Sequence, residues 1–126
     1  MTFRIHVQVQ SRTEAASQTL QISLTNPNQI IAVNRLAAFS ENHLQSVLPT
    51  PDGGMMLQAD STGTRILEEM SSSNSGRIMV VLINGTVVYA PIIDMPLRSG
   101  RMLIPGPIPP EIVSGLQARI AKLQKK

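Results

Sequence analysis

Phe3, Ile5, Val7 and Val9 alternate with Arg4, His6, Gln8 and Gln10, and this period of two predicts a first strand with one buried and one wet face. Leu20, Ile22 and Leu24 repeat the alternation until Thr25, Asn26, Pro27 and Asn28 break it, which predicts a second strand near a sheet edge. The polar residues 11–18 between them read as a loop, and residues 30–33 as a short extended segment. Residues 39–43 read as a turn or one helical turn capped by Ser40. Residues 44–48 and 55–59 flank a proline and glycine cluster at 49–54 that requires a reversal, so they form a loose hairpin. A tighter hairpin is predicted further on, where the β-branched apolar runs 78–83 and 86–93 flank Asn84-Gly85. That pair tolerates positive φ at both central positions and favours the type I′ turn, whose twist matches paired strands.

Two helices complete the pattern. Asp60, Ser61 and Thr62 supply N-cap candidates for a helix with Ile66, Leu67 and Met70 on one face, ending near Ser71. Gly76 then takes the left-handed conformation in the loop leading to the next strand. The last helix opens at Pro109-Pro110, carries Glu111 near its positive end and lysines near its negative end, and bears an apolar stripe of Ile112, Leu116, Ile120 and Leu123. The order of elements predicts a single α+β domain over residues 1–126. Its sheet is mixed but mainly antiparallel, with both helices packed on one face in a ferredoxin-like layering.

Composition narrows the function classes. Only Phe3, Phe39 and Tyr89 are aromatic, so the core is aliphatic with methionine filling gaps, and there are few platforms for stacking bases. The net charge of +3 owes much to Arg119, Lys122, Lys125 and Lys126 at the C-terminal end, and no nucleic-acid partner is expected. Absence of cysteine rules out disulfides and thiolate chemistry without indicating a compartment. The longest apolar run has a strand's length, so no membrane span is expected in this chain. Strand-like alternation starts at Phe3, so no signal peptide is read here either.

Candidate chemistry is sparse. His6 and His43 lack a third ligand at metal-binding spacing, and His6 is expected on the solvated face of the first strand. Glu68 and Glu69 point about 100° apart on a helix and do not form a proton-sharing pair. Gly53-Gly54 and Gly100 read as turn glycines, since neither lies in a phosphate-binding motif. No catalytic residues, metal or cofactor are therefore expected, and the chain reads as a non-enzyme. Arg98, Ser99 and Arg101 form the most polar insertion among the later apolar strands and are the candidate binding residues. Met55, Met56, Met79, Met95 and Met102 read as core filler or as an adaptable apolar groove.

The second half of the chain resembles a known family. The successive features are a strand at 57–59, Asp60 with Gly63, a helix at 64–70, Asn74 to Gly76, an apolar strand at 78–83 and Asn84-Gly85. A strand ending in Ala90-Pro91, then Gly100, an isoleucine strand at 102–104 and a final helix from Pro110 complete the series. Together, residues 55–123 resemble the head portion of the first periplasmic domain of the protein-export membrane protein SecD. Family members usually carry Asp-Gly where this chain has Asn84-Gly85, and Gly-x-Phe where it has Pro105 to Ile108. The resemblance implies structural roles for Gly76, Asn84, Gly85, Pro91 and Gly100. It also implies a periplasmic or otherwise extracytoplasmic location and a noncatalytic domain that contacts unfolded or partner polypeptides. A small apolar ligand carrier and a purely structural role are the alternatives, and sheet edges offer a route to homo-oligomers.

Overall fold

The computed structural model describes residues 1–8, 19–25, 28–34 and 37–124. The expected loop at 11–18, the end of the first strand at Val9, the break at Asn26-Pro27 and the terminal Lys125 and Lys126 lie outside the described residues. The chain order is β1 (Phe3–Val7), β2 (Thr19–Thr25), β3 (Asn28–Asn34), β4 (Phe39–Ser40), a 3-10 turn (Glu41–His43), β5 (Leu44–Pro49) and β6 (Met55–Ala59). It continues with α1 (Ser61–Ser73), β7 (Met79–Ile83), β8 (Thr86–Tyr89), β9 (Arg101–Ile104) and α2 (Pro110–Gln124). The α+β class holds. The strands fall into three sheets, ordered β4-β1-β7-β8, β2-β3 and β5-β6-β9, and every strand pair is antiparallel.

Local chemistry accounts for the boundaries. Asn84 at φ 52 and Gly85 at φ 80 make the tight reversal between β7 and β8, with Ile83 opposite Thr86. The Asn84 side chain also accepts a hydrogen bond from the Thr2 amide at 2.9 Å, and the Asn84 backbone amide donates to the Thr2 carbonyl at 3.0 Å, so the turn anchors the start of β1. Asp60 caps α1 by accepting from the Gly63 amide at 2.7 Å. Ser40 and His43 form a reciprocal capping box around the 3-10 turn. Asn74 closes α1, donating from Nδ2 to the Met70 carbonyl at 2.8 Å, and Gly76 at φ 86 turns the chain two residues later. On α2 the buried residues are Val113, Leu116 and Ile120; Val113 replaces the expected Leu123, which is exposed at the penultimate position of the helix.

The main core lies on one face of the β4-β1-β7-β8 sheet. Phe3, Ile5, Val7, Met79, Val81 and Ile83 project there and meet Leu67 and Met70 of α1, Leu116 and Ile120 of α2, and the inner residues of β5-β6-β9. Both helices thus pack on the same side, as the amphipathic stripes predict. The opposite face is not wet. Val80 packs there with Ile31 and Val33 of the β2-β3 hairpin, and Gln8 bridges to Val33. His6 sits directly across from Val80 in the ladder and is buried, which corrects its expected solvated position. Arg4 on the same strand pairs with the buried Glu41.

The loop between β5 and β6 closes through a small polar cluster. The Thr50 hydroxyl donates to the Asp52 carboxylate, and the Gly54 amide donates to both Thr50 Oγ1 at 3.0 Å and Asp52 Oδ1 at 3.3 Å. Bonds to the ionised form hold the Asp52 carboxyl below its ordinary value of 3.8, the Thr50 hydroxyl first and the Gly54 amide second. Because the folded-state value is the depressed one, the stabilisation is fully present above pH 3.8 and is lost as pH falls through the folded value. Carboxyl carbon shifts followed by NMR should therefore give Asp52 a midpoint under 3.8, and Thr50→Val should move it upward.

Candidate functional site

The segment that joins β8 to β9 has no regular structure, and it leaves a cleft of about 310 Å³ beside β9. Its near wall is Arg101, Met102 and Leu103 of β9, and its floor includes Met79, Ile93 and Leu97. Ile92 and Met95 stand at the rim, 64% and 63% exposed, together with Tyr89 and Asp94. Leu103 is itself 54% exposed and continues into Met56 and Leu48, which oppose it rung by rung across β9, β6 and β5 and are also exposed. An apolar band therefore runs from the cleft over the outer face of the small sheet. Contiguous exposed apolar surface of this kind marks interaction sites.

Backbone bonds hold the far wall in place. The Met79 amide donates to the Pro91 carbonyl at 2.9 Å, the Ile93 amide to the Arg77 carbonyl at 2.9 Å, and the Gly76 amide to the Ile93 carbonyl at 2.8 Å. The lower wall is tied to α1 through Ser71, whose buried hydroxyl donates to the Leu67 carbonyl at 2.6 Å and accepts from the Leu97 amide at 2.7 Å. Ser71→Ala would leave that amide without an acceptor, at a cost of about 2 kcal/mol. Urea unfolding should register this loss, and hydrogen exchange at Leu97 should accelerate by more than at the α1 amides.

The expected binding residues are distributed unevenly. Arg101 lines the cleft, and its Nε donates to Gln58 Oε1 at 3.1 Å. Ser99 accepts from the Arg101 amide at 3.3 Å, while Arg98 is exposed and lies outside the cleft lining. Gly100, at φ 73, is buried against Thr64 and Gln58 and passes its carbonyl to the Ala59 amide at 2.8 Å. Of the methionines, Met55 is core, Met56 is on the outer sheet face, and Met79, Met95 and Met102 line the cleft, so core filling and groove lining coexist. Met95 was read as core filler or groove lining and stands at the rim, whereas Ile92 was missed as a rim residue by sequence reasoning; its signal is a large apolar side chain just after Pro91 in a stretch with no periodicity.

Among the described residues no group of three His, Cys, Asp or Glu side chains converges, and no helix is long and apolar enough to cross a membrane. His43 accepts at Nδ1 from the Ser40 amide at 3.3 Å and stacks obliquely on Phe39, with ring centroids 5.3 Å apart. A second opening of about 320 Å³ lies where Val87 and Val88 of β8 face Pro105 to Pro109.

No family model and no curated protein matches the chain. Solved structures do. One, reported as the structure and function of a membrane component SecDF that enhances protein export, superposes with a TM-score of 0.66 at 16% identity, over 94% of this chain and 61% of that one. A second, of SecDF in a super-membrane-facing form, gives 0.68 at 14% identity, over 94% of this chain and 18% of that one. This chain thus spans only part of each neighbour, and at such identity the likeness speaks for architecture: the fold is that of a SecD-like domain.

Proposed function

We propose that the chain is a noncatalytic, extracytoplasmic interaction domain that holds a segment of another protein in the cleft beside β9. The observation that carries this reading is the open apolar cleft with Ile92, Met95 and Leu103 exposed around it. Burying such side chains on a partner gains roughly 25 cal/mol per Å² of apolar surface removed from water. The fold supports the reading, since the neighbour that shares it enhances protein export. A carrier of small apolar ligands is the second reading, favoured by Met79, Met95 and Met102 in the lining, whose flexible side chains adapt to varied shapes. The void inside the core, between Phe3, Phe39 and Leu57, has no room for a water molecule, so such a ligand would also occupy the open cleft.

The two readings separate in one experiment. Fluorescently labelled, reduced and carboxymethylated α-lactalbumin serves as an unfolded probe, and N-phenyl-1-naphthylamine as a small apolar one. The full chain should retain the unfolded probe, and Met95→Asp combined with Leu103→Asp should weaken retention about tenfold or more. Uptake of the dye with no retention of the polypeptide would overturn the first reading in favour of the carrier.

A further inference from the structure

The ladder register shows which backbone groups face the cleft. The Ala59 amide bonds the Gly100 carbonyl, and Leu57 pairs with Met102 two rungs on. Hydrogen-bonded and non-bonded pairs alternate in an antiparallel ladder, so Gln58–Arg101 and Met56–Leu103 are the non-bonded rungs. The amides and carbonyls of Arg101 and Leu103 therefore point away from β6. Among the described residues no strand pairs with β9 on that side. The same conclusion follows from the lining, because three consecutive strand residues with alternating side chains can all border one cleft only where it runs along the strand's edge.

This edge is bounded at both ends. Ser99 Oγ already takes the Arg101 amide, and the next outward position is Pro105, which has no amide to offer. Three groups remain: the Arg101 carbonyl and the Leu103 amide and carbonyl. Such a short edge suits a brief extended segment rather than sheet-to-sheet stacking. The charges beside it are unbalanced. Among the described residues Arg101 and Arg98 make no ion pair, and the one salt bridge joins Arg4 to Glu41. Asp94 lines the same cleft as a single opposing charge. Gln58 holds Arg101 by Nε and leaves its terminal nitrogens free to donate.

We propose that β9 accepts an extended segment of another polypeptide as an added fourth strand of the β5-β6-β9 sheet, with an acidic side chain of that segment meeting Arg101. This rests on the reading that the cleft binds polypeptide, and it specifies the binding mode and the preferred sequence. Main-chain bonds to Leu103 supply the alignment, apolar side chains fill the space beside Met95 and Met102, and the carboxylate selects among segments.

The test uses the full chain and a fluorescein-labelled ten-residue peptide of alternating Val and Thr with Gly-Ser ends and one central Glu, read by anisotropy. The Glu peptide should bind about fivefold tighter than its Gln analogue, as expected for an exposed charge pair. Its Lys analogue should bind more weakly still, and added salt should narrow the differences. Arg101→Gln should erase the preference for Glu over Gln. Arg77→Gln, on a residue held by Asn74 at 3.0 Å, should leave the preference intact. N-methylation of alternate peptide amides, which removes strand hydrogen bonds without touching the protein, should weaken binding at least tenfold.

Equal affinity for the Glu, Gln and Lys peptides would overturn the acidic preference, and indifference to N-methylation would overturn strand addition; either result leaves polypeptide binding itself standing. Failure of every peptide to bind, together with failure to retain the unfolded protein probe, would overturn the parent reading as well. Concentration-dependent dimerisation in sedimentation that Leu103→Asp abolishes would assign the edge to a second copy of the chain and overturn the proposal.

Discussion

Phe3→Ala is expected to lower the unfolding free energy by about 3–5 kcal/mol, a large share of the 5–15 kcal/mol typical of a domain. Phe3 is 0% exposed and pairs with Ile83 in the β1-β7 ladder. Its ring meets Phe39 edge-on, with centroids 6.0 Å apart and planes 80° apart. With three aromatic residues in the whole chain, the surrounding aliphatic side chains are well enough packed that truncation leaves a void they cannot fill. Urea denaturation followed by circular dichroism measures the change. Leu48→Ala is the control, since Leu48 is 58% exposed on the outer sheet face and should shift stability by no more than about 0.5 kcal/mol. Equal effects at the two positions would mean that the sheet-face packing described for β1 is wrong.

Much of the architecture is written in local signals. Asn84-Gly85, the Asp60 cap, the Ser40 cap and the Gly76 turn each depend on the backbone preferences of a few adjacent residues, and each is found where those preferences place it. The limits of such reading show at His6. Alternation identifies Arg4, His6 and Gln8 as sharing one face of β1, but whether water or another element meets that face depends on residues far away in sequence. Here Ile31 and Val33 of the β2-β3 hairpin cover Val80 and with it His6. The destination of β9 is non-local for the same reason. It pairs with β6 rather than extending the β7-β8 ribbon, and no pattern within residues 101–104 encodes that choice.

The cleft illustrates a different limit. Polarity draws attention to Arg98, Ser99 and Arg101, and Arg101 does border the opening. Its apolar rim escapes a periodicity argument because an irregular segment has no period, and apolar residues in a sequence are read as core by default. Pro91 and Pro96 keep the backbone of the segment from completing a strand or helix, so Ile92 and Met95 have no core to enter. The backbone donors and acceptors of β9 are still less visible in sequence, since their direction follows from the register with β6.

The connection after β9 should be equally sensitive to substitution, at Gly106. A Cβ built there would fall inside contact distance of the Gly53 carbonyl and 2.8 Å from the Gly54 amide nitrogen. Gly54 meets the reciprocal obstacle, since its Cβ would press on the Ile104 carbonyl and lie 3.0 Å from the Gly106 nitrogen. Two backbones therefore touch with no side chain between them, and the Ile108 amide donates to the Gly53 carbonyl at 2.8 Å across the same contact. Flexible side chains can yield to an extra methyl; two paired backbones cannot. Gly106→Ala is thus expected to cost about 3 kcal/mol. Gly85→Ala is the informative comparison, because nothing lies within 4 Å of its Cβ and only the positive φ opposes it, at about 1 kcal/mol. The contact fixes where β9 ends and hence where its free edge begins, so residual folded Gly106→Ala protein should show altered amide shifts at Leu103 and Ile104. Unchanged shifts and a cost no larger than that of Gly85→Ala would show that the two backbones do not meet as described.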